Sequence, residues 1–324
     1  MARYILKRLA VSLLIVWGVL SITFLLMYLA PGDPASLYIR PGIDAKTVEN
    51  IRRQMGFDLP LWRQYFHWIR EFLSGNFGVS FTHHRPVSEI LAEAIPNTLK
   101  LTVVVYFLQS IVGIILGVIT AVKRGTKLDL VITSFLLFLY SMPGFWLGLM
   151  AILLFSLKLG WLPSSQMRSL TVSGGFWSES LDLVKHLILP ASILAMPFAA
   201  STARFVHNSL SYVLEQDYIR TAKAYGIKSW KILFKYALKN TLLSLVTLFG
   251  LHLPFLLGGA VITEHIFAWP GLGRITVSAI FAHDFPVILA STFIAALTVV
   301  IGNQISDFLY FFVDPRVRTG LLKN

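Results

Sequence analysis

At 324 residues the chain has the length of about two soluble domains, but 56% of it is hydrophobic and only 14% is charged, well under the roughly 25% usual in water-soluble proteins. Its 28 Lys and Arg against 16 Asp and Glu give a formal charge of +12, which in a soluble protein would suggest nucleic acid; so apolar a chain could not be covered in water, and the charge must serve membrane topology or a partner. The absence of cysteine excludes a disulfide framework, thiolate metal sites and cysteine nucleophiles, and leaves the redox compartment open.

Six stretches of 18 or more residues lack Asp, Glu, Lys and Arg: 9–32, 101–122, 130–157, 186–203, 240–263 and 285–306. A helix rising about 1.5 Å per residue crosses roughly 30 Å of hydrocarbon in about 20 residues, so each stretch predicts one transmembrane helix, the fourth extending past Arg204. The first follows Arg3, Lys7 and Arg8 like a signal peptide, but its apolar run is too long and Ala30 precedes Pro31, so it reads as an uncleaved span. Lys and Arg are denser in 1–8, 123–129, 207–240 and 314–324, 15 in 60 residues, than in the alternate segments 31–97, 158–185 and 264–286, 11 in 118. The positive-inside rule then places both termini in the cytoplasm.

The expected layout is residues 1–30 for the N-terminus and first span, 31–97 for a helical extracytoplasmic insertion, 98–313 for a five-helix permease core with an outer loop at 264–286, and 314–324 for a cytoplasmic tail. In the insertion, Asp44 can cap a helix running to Met55-Gly56, and Pro60 suits the first turn of a second helix. There Leu61, Tyr65, Trp68 and Phe72 form a stripe that needs something to pack on. Seven basic residues balance seven acidic ones, so this segment has no electrostatic claim on nucleic acid. Interruptions are expected at Pro143-Gly144, at Pro190 and Pro197, and at Pro254 with Gly258-Gly259, either as packing kinks or because these helices line a pathway.

Between His207 and Asn240 an amphipathic helix through Tyr218–Tyr225 meets Gly226, which most easily takes the left-handed conformation that closes a helix, and a second helix resumes near Ser229. The result is a protruding elbow. Lys231, Lys235 and Lys239 recur every four residues, and taken alone they read as topogenic or as contacts to anionic membrane lipid. Inside or beside the spans the polar candidates are Arg204 and Asp307, which could form an intramembrane pair or a gate, and His252, Asn303 and Gln304, which could line a pathway. No P-loop, H-E-x-x-H or G-x-S-x-G is present; Gly271-Leu272-Gly273 lacks the third Rossmann glycine, and His83-His84 has no carboxylate cluster to make a metal site.

The elbow reads Asp217-Tyr218-Ile219-Arg220-Thr221-Ala222-Lys223-Ala224-Tyr225-Gly226. Elsewhere stand Pro31-Gly32-Asp33-Pro34, Gly56-Phe57-Asp58-Leu59-Pro60, Gly75-Asn76-Phe77-Gly78-Val79-Ser80, Tyr140-Ser141-Met142-Pro143, Phe267-Ala268-Trp269-Pro270-Gly271-Leu272-Gly273-Arg274 and Asp314-Pro315-Arg316-Val317-Arg318. On these residues the chain resembles the first-permease type of ATP-binding-cassette dipeptide and oligopeptide importers, over nearly its whole length. It departs from the family pattern at Asn76, commonly Asp, and at Ser244, commonly Pro. The resemblance implies an all-α integral membrane protein of the type I importer permease fold with six transmembrane helices, in a prokaryotic cytoplasmic membrane. It also implies that the elbow is a Glu-Ala-Ala-like coupling loop, with Arg220, Thr221 and Ala222 at the Glu-Ala-Ala positions and Tyr218, Lys223, Ala224 and Gly226 completing it. The implied partners are a homologous second permease subunit, two ATPase subunits that would carry ATP and Mg, and an extracytoplasmic substrate-binding protein. This chain would hold no cofactor, have no catalytic or metal site, and bind no nucleic acid. The competing class is a self-sufficient secondary transporter or channel. Cargo stays open among dipeptides, longer peptides, nickel chelates, glutathione and sugars.

Overall fold

The computed structural model describes residues 2–29, 59–169 and 175–313, with the backbone alone for residues 2–7, 9, 243–244, 246–247, 253–259, 307 and 309–313. The expected helix from Asp44 to Met55 lies outside these residues. Among them the chain forms helices α1 (Ala2–Leu29), α2 (Leu61–Leu73), α3 (Val87–Val122), α4 (Lys127–Ser141), α5 (Gly144–Ala151), α6 (Gly175–Leu214), α7 (Asp217–Ala224), α8 (Ser229–Lys231), α9 (Leu238–Ile266), α10 (Leu272–Phe281) and α11 (Phe285–Val313). Two wide-bore π stretches continue them: Ile152–Lys158 extends α5, and Ile232–Ala237 joins α8 to α9 as one helix.

The described residues of each charge-free window are helical, apart from the break at Met142-Pro143 in the third. Four of the helices are long and apolar enough to cross a bilayer as single rods, over Ala10–Leu29, Val87–Val122, Gly175–Leu214 and Phe285–Ser306. The third window is not a rod. It bends by 104° between Lys127–Ser141 and Gly144–Lys158, because Pro143 offers no N–H and forces the preceding Met142 into an extended conformation, φ −85° and ψ 139°. The expected interruption of the fourth window does not occur: α6 runs through both Pro190 and Pro197. One lost hydrogen bond per proline is tolerable where the helix is clamped by neighbours, and Pro190 is buried.

The described residues divide into two compact units, one of residues 98–169, 175–270 and 298–313, the other of 2–29, 59–97 and 271–297. In the first, α6 turns an alanine-rich face inward: Ala191, Ala195, Ala199, Ala200 and Ala203 are all buried. Leu101 and Val105 of α3, Ala260 of α9 and the fully buried Trp269 pack with that face. Small residues let the backbones close in, and Gly113 and Gly117 of α3 complete the fit. A Cβ added at Gly113 would meet the Thr202 Cβ at 2.6 Å and the Ala199 carbonyl oxygen at 2.9 Å; one at Gly117 would meet the Ala203 oxygen at 2.6 Å. This is the Gly-x-x-x-Gly device of membrane helices, in which dispersion over a close crossing replaces the missing hydrophobic drive. The loop before α4 is held by Thr126, which accepts from the Asp129 N–H at 3.4 Å, while the Asp129 carboxylate accepts from the Gly125 N–H at 3.0 Å.

In the second unit the stripe on α2 finds its partners. Tyr65 shares a 2.6 Å hydrogen bond with Ser21 of α1, Phe24 meets Tyr65 and Trp68 at 5.3 and 5.5 Å, and Phe72 meets Phe293 of α11 edge-on at 5.0 Å. Pro60 sits one position before the helix instead of in its first turn, with φ −55° and ψ 143°. The turn that follows folds back onto Asp284, a residue 1% exposed. Its carboxylate accepts from the Ser80 hydroxyl at 2.5 Å and from the Phe81 and Thr82 N–H groups at 3.2 and 3.0 Å.

Candidate functional site

The elbow is built from the inside outward. Ile219 and Ala222 of α7, Ile232 and Ala237 of the π stretch, Ala121 of α3 and Leu210 of α6 make one buried apolar cluster beneath it. Arg124 and Glu215 pair at 2.7 Å beside this base, and Asn240 donates to the Tyr218 hydroxyl at 3.1 Å, tying α7 to the start of α9. Closure of α7 follows backbone chemistry: Gly226 has φ +72°, its N–H bonds to the Lys223 carbonyl at 2.9 Å, and the Ile227 N–H reaches back to the Ala222 carbonyl at 3.1 Å. That pair of bonds is the Schellman motif, and Ile227 packs over Ala222 as the motif's hydrophobic contact. An added Cβ at Gly226 would touch nothing within 4 Å, so glycine is required there by the dihedral, not by space.

What the elbow shows to solvent is aromatic and basic. Tyr225 is 83% exposed, Trp230 64% and Phe234 59%, beside exposed Arg220, Lys223, Lys228 and Lys231. Exposed Thr221 and Ala224 share that surface. Ala222 does not: it faces the core, so a substitution there tests packing first. Lys235 and Lys239 are also exposed. Phe234 is not among the residues that the sequence singles out; its only signal is a bulky aromatic side chain on a short segment too charged to be a span.

The polar candidates elsewhere separate. Arg204 is exposed on α6 with its guanidinium 5.9 Å from the centroid of the Tyr140 ring, a cation–π contact; the side chain of Asp307 lies outside the described residues, so the expected pair stays an expectation. Asn303 is exposed and Gln304 half-buried on α11. His252 is buried on α9. Its ring stands edge-on to Phe198 at 5.1 Å, and its Nδ1 lies 3.3 Å from Oε1 of Gln109, which also accepts from the Thr202 hydroxyl at 3.2 Å. Gln109 and Thr202 were missed, although Gln109 is the one amide in its apolar window. Glu264 was missed as well. It is fully buried and accepts from the Thr98 hydroxyl at 2.7 Å. Among the described residues no group of His, Asp and Glu could hold a metal ion.

Residues 113–319 match the family described as binding-protein-dependent transport system inner membrane component, and residues 1–102 match the N-terminal region of such membrane components. Over 320 residues the chain is 40% identical to the oligopeptide transport system permease protein AppB of Bacillus subtilis, covering 98% of this chain and 99% of that one. It is 36% identical over 320 residues to the glutathione transport system permease protein GsiC of Escherichia coli K12, with the same coverage. Among solved structures it resembles the MetNI methionine ABC transporter in inward-facing conformations, with a TM-score of 0.52, 21% identity, and coverage of 68% of this chain and 97% of that one. That likeness speaks for the fold. The helical core and these matches agree: the chain belongs to the binding-protein-dependent inner membrane components, the non-catalytic permease subunits of ATP-binding-cassette importers.

Proposed function

We propose that this chain forms half of a translocation pathway for peptides or similar small solutes, paired with a second permease of like fold and driven by two ATPase subunits that bind ATP and Mg. Its termini and elbow face the cytoplasm, as the greater density of Lys and Arg in 1–8, 123–129, 207–240 and 314–324 supports. The observation that carries the reading is the elbow's construction, an aromatic and basic skin on a buried apolar base packed against α3 and α6 and tied to α9 through Asn240 and Tyr218. A surface meant only to sit in water gains nothing from Tyr225, Trp230 and Phe234, whereas a groove on an ATPase can bury them and move the base as one piece. The names of the relatives favour a peptide-like cargo, delivered by a binding protein from the other side of the membrane.

Reconstitution tests this directly. Vesicles holding the purified permease pair and ATPases should accumulate peptide only with ATP inside and binding protein outside; uptake driven by a proton gradient without ATP would replace this reading with a secondary carrier. Orientation is tested by Ser74→Cys in this cysteine-free chain. An impermeant maleimide should label it from the side opposite the termini, and labelling from the cytosol alone would invert the topology.

A further inference from the structure

Three helices of the first unit meet at one polar point, where the Gln109 amide also donates to the neighbouring Ser110 hydroxyl at 3.4 Å. Gln109 of α3 is fully buried, Thr202 of α6 is fully buried, and His252 of α9 is 7% exposed. Gln109 and His252 stand near the middle of the charge-free windows 101–122 and 240–263. A carboxamide oxygen can only accept, so the Thr202 hydroxyl and the protonated Nδ1 of His252 both donate to it, at 3.2 and 3.3 Å. Below this point Gly113 and Gly117 already press α3 against Ala199, Thr202 and Ala203 of α6. The α3–α6 pair is therefore held twice over. For α9 the His252 bond is a polar hold in a stretch that continues, without a break in helix, down through Ile232–Ala237 to Ser229 at the elbow. A displacement of the elbow is carried along that helix to His252.

We propose that Gln109, Thr202 and His252 form a latch that keeps α9 registered against the α3–α6 pair, and that they are positioning residues for coupling: the latch must open for ATP-driven motion of the elbow to change the pathway. Where polar groups are buried between packed helices a broken hydrogen bond is costly to leave unmade, so the closed and opened arrangements are distinct states and not a continuum. With the latch removed α9 moves without load, and ATP hydrolysis no longer waits for cargo. The proposal rests on the functional reading above.

The test uses the assembled importer in proteoliposomes, with its binding protein loaded from a tryptic digest of casein, and compares ATP hydrolysis with and without that loaded protein. His252→Phe keeps a ring against Phe198 and removes the donor; His252→Asn places an amide donor where Nδ1 stands. H252F should raise cargo-independent hydrolysis, lowering the ratio of stimulated to basal rate about three- to tenfold, the range expected for one buried interhelical hydrogen bond, while H252N stays within about twofold of wild type. Gln109→Leu should reproduce the loss, and the Q109L/H252F double variant should be no worse than either. If H252F does not assemble, Gln109→Leu, which removes the acceptor that His252 bonds, is scored by the same ratio and should lower it. A merely structural role would depress basal and stimulated rates together and leave the ratio unchanged, and that result overturns the latch. So does a double variant whose losses multiply. A wild-type complex with no stimulation at all brings down the functional reading itself, and the latch with it.

Discussion

The reversal at Gly226 and the reversal at residues 80–85 both turn the chain sharply next to helices, yet they are held by different physics. At Gly226 the turn is made by local backbone bonds, Gly226 to Lys223 and Ile227 to Ala222, over an apolar base. Its closing bonds join residues three and five apart. At residues 80–85 the turn has a left-handed His84, φ 54°, local bonds from Ser80 to Arg85 and from His84 to Ser80, and then a tie to Asp284 from some 200 residues away. The first turn is closed by bonds within its own segment and leaves its outer surface exposed. The second depends on the buried Asp284 side chain and is fixed by the rest of its unit.

Removing that side chain should have the largest effect on the fold. In Asp284→Ala the buried Ser80 hydroxyl and the N–H groups of half-buried Phe81 and exposed Thr82 lose this acceptor, and leaving the buried hydroxyl unsatisfied costs about 1–3 kcal/mol. The expected outcome is a sharp drop in the thermal midpoint in detergent, or loss of folded protein. Asp284→Asn, which keeps one acceptor oxygen, should fall between it and wild type, and Ser80→Ala should cost only about 1 kcal/mol, the worth of one typical hydrogen bond. Equal stability of D284A and wild type would mean that the turn needs no anchor.

The elbow's keystone comes next in size. Gly226→Val forces a β-branched residue into the left-handed region, at about 1–3 kcal/mol. Since nothing lies within 4 Å of the added Cβ, the cost is conformational alone, so Gly226→Asn, which tolerates that region, should be much milder than Gly226→Val. The readouts are thermal midpoint and binding-protein-stimulated ATP hydrolysis of the reconstituted complex. If Asn and Val behave alike, the positive φ is not what selects glycine there.

The same contrast explains what could be read before any coordinates. The elbow was legible because its determinants are local: a helix pattern, a glycine at the stopping point, and a second helix starting near Ser229. The charge-free windows were legible for the same reason, since span length is a property of a single segment. Asp284, Glu264 and the Gln109–Thr202–His252 point were not, because a lone polar residue beside or within an apolar stretch carries no mark of which distant element will satisfy it. The prolines mislead in a related way. Pro143 bends its helix by 104° while Pro190 and Pro197 leave theirs continuous, and what distinguishes them is the packing around α6. Ala222 shows the limit inside a legible motif: its place in the pattern suggests a contact residue, and the fold buries it at 7% exposed.

The smallest expected effect on stability is the sharpest test of the elbow's surface. Tyr225 is 83% exposed, directly precedes the glycine and has no part in the apolar base, so Tyr225→Ser should change the thermal midpoint by no more than about 0.5 kcal/mol allows, as for other surface substitutions. If the aromatic skin docks in an ATPase groove, the ring is desolvated there, and losing a buried aromatic at an interface costs about 2 kcal/mol or more of binding. Stability and assembly should therefore part company: the isolated permease is unchanged, while ATPase subunits co-purify in lower yield and stimulated hydrolysis falls. Ala222→Asp should do the reverse, because its charge enters the base beside Ile219 and Ile232 and loosens the permease before any partner arrives. A Tyr225→Ser complex that assembles and hydrolyses ATP like wild type would show that the exposed ring makes no contact that matters, and would move the docking surface toward Trp230 and Phe234.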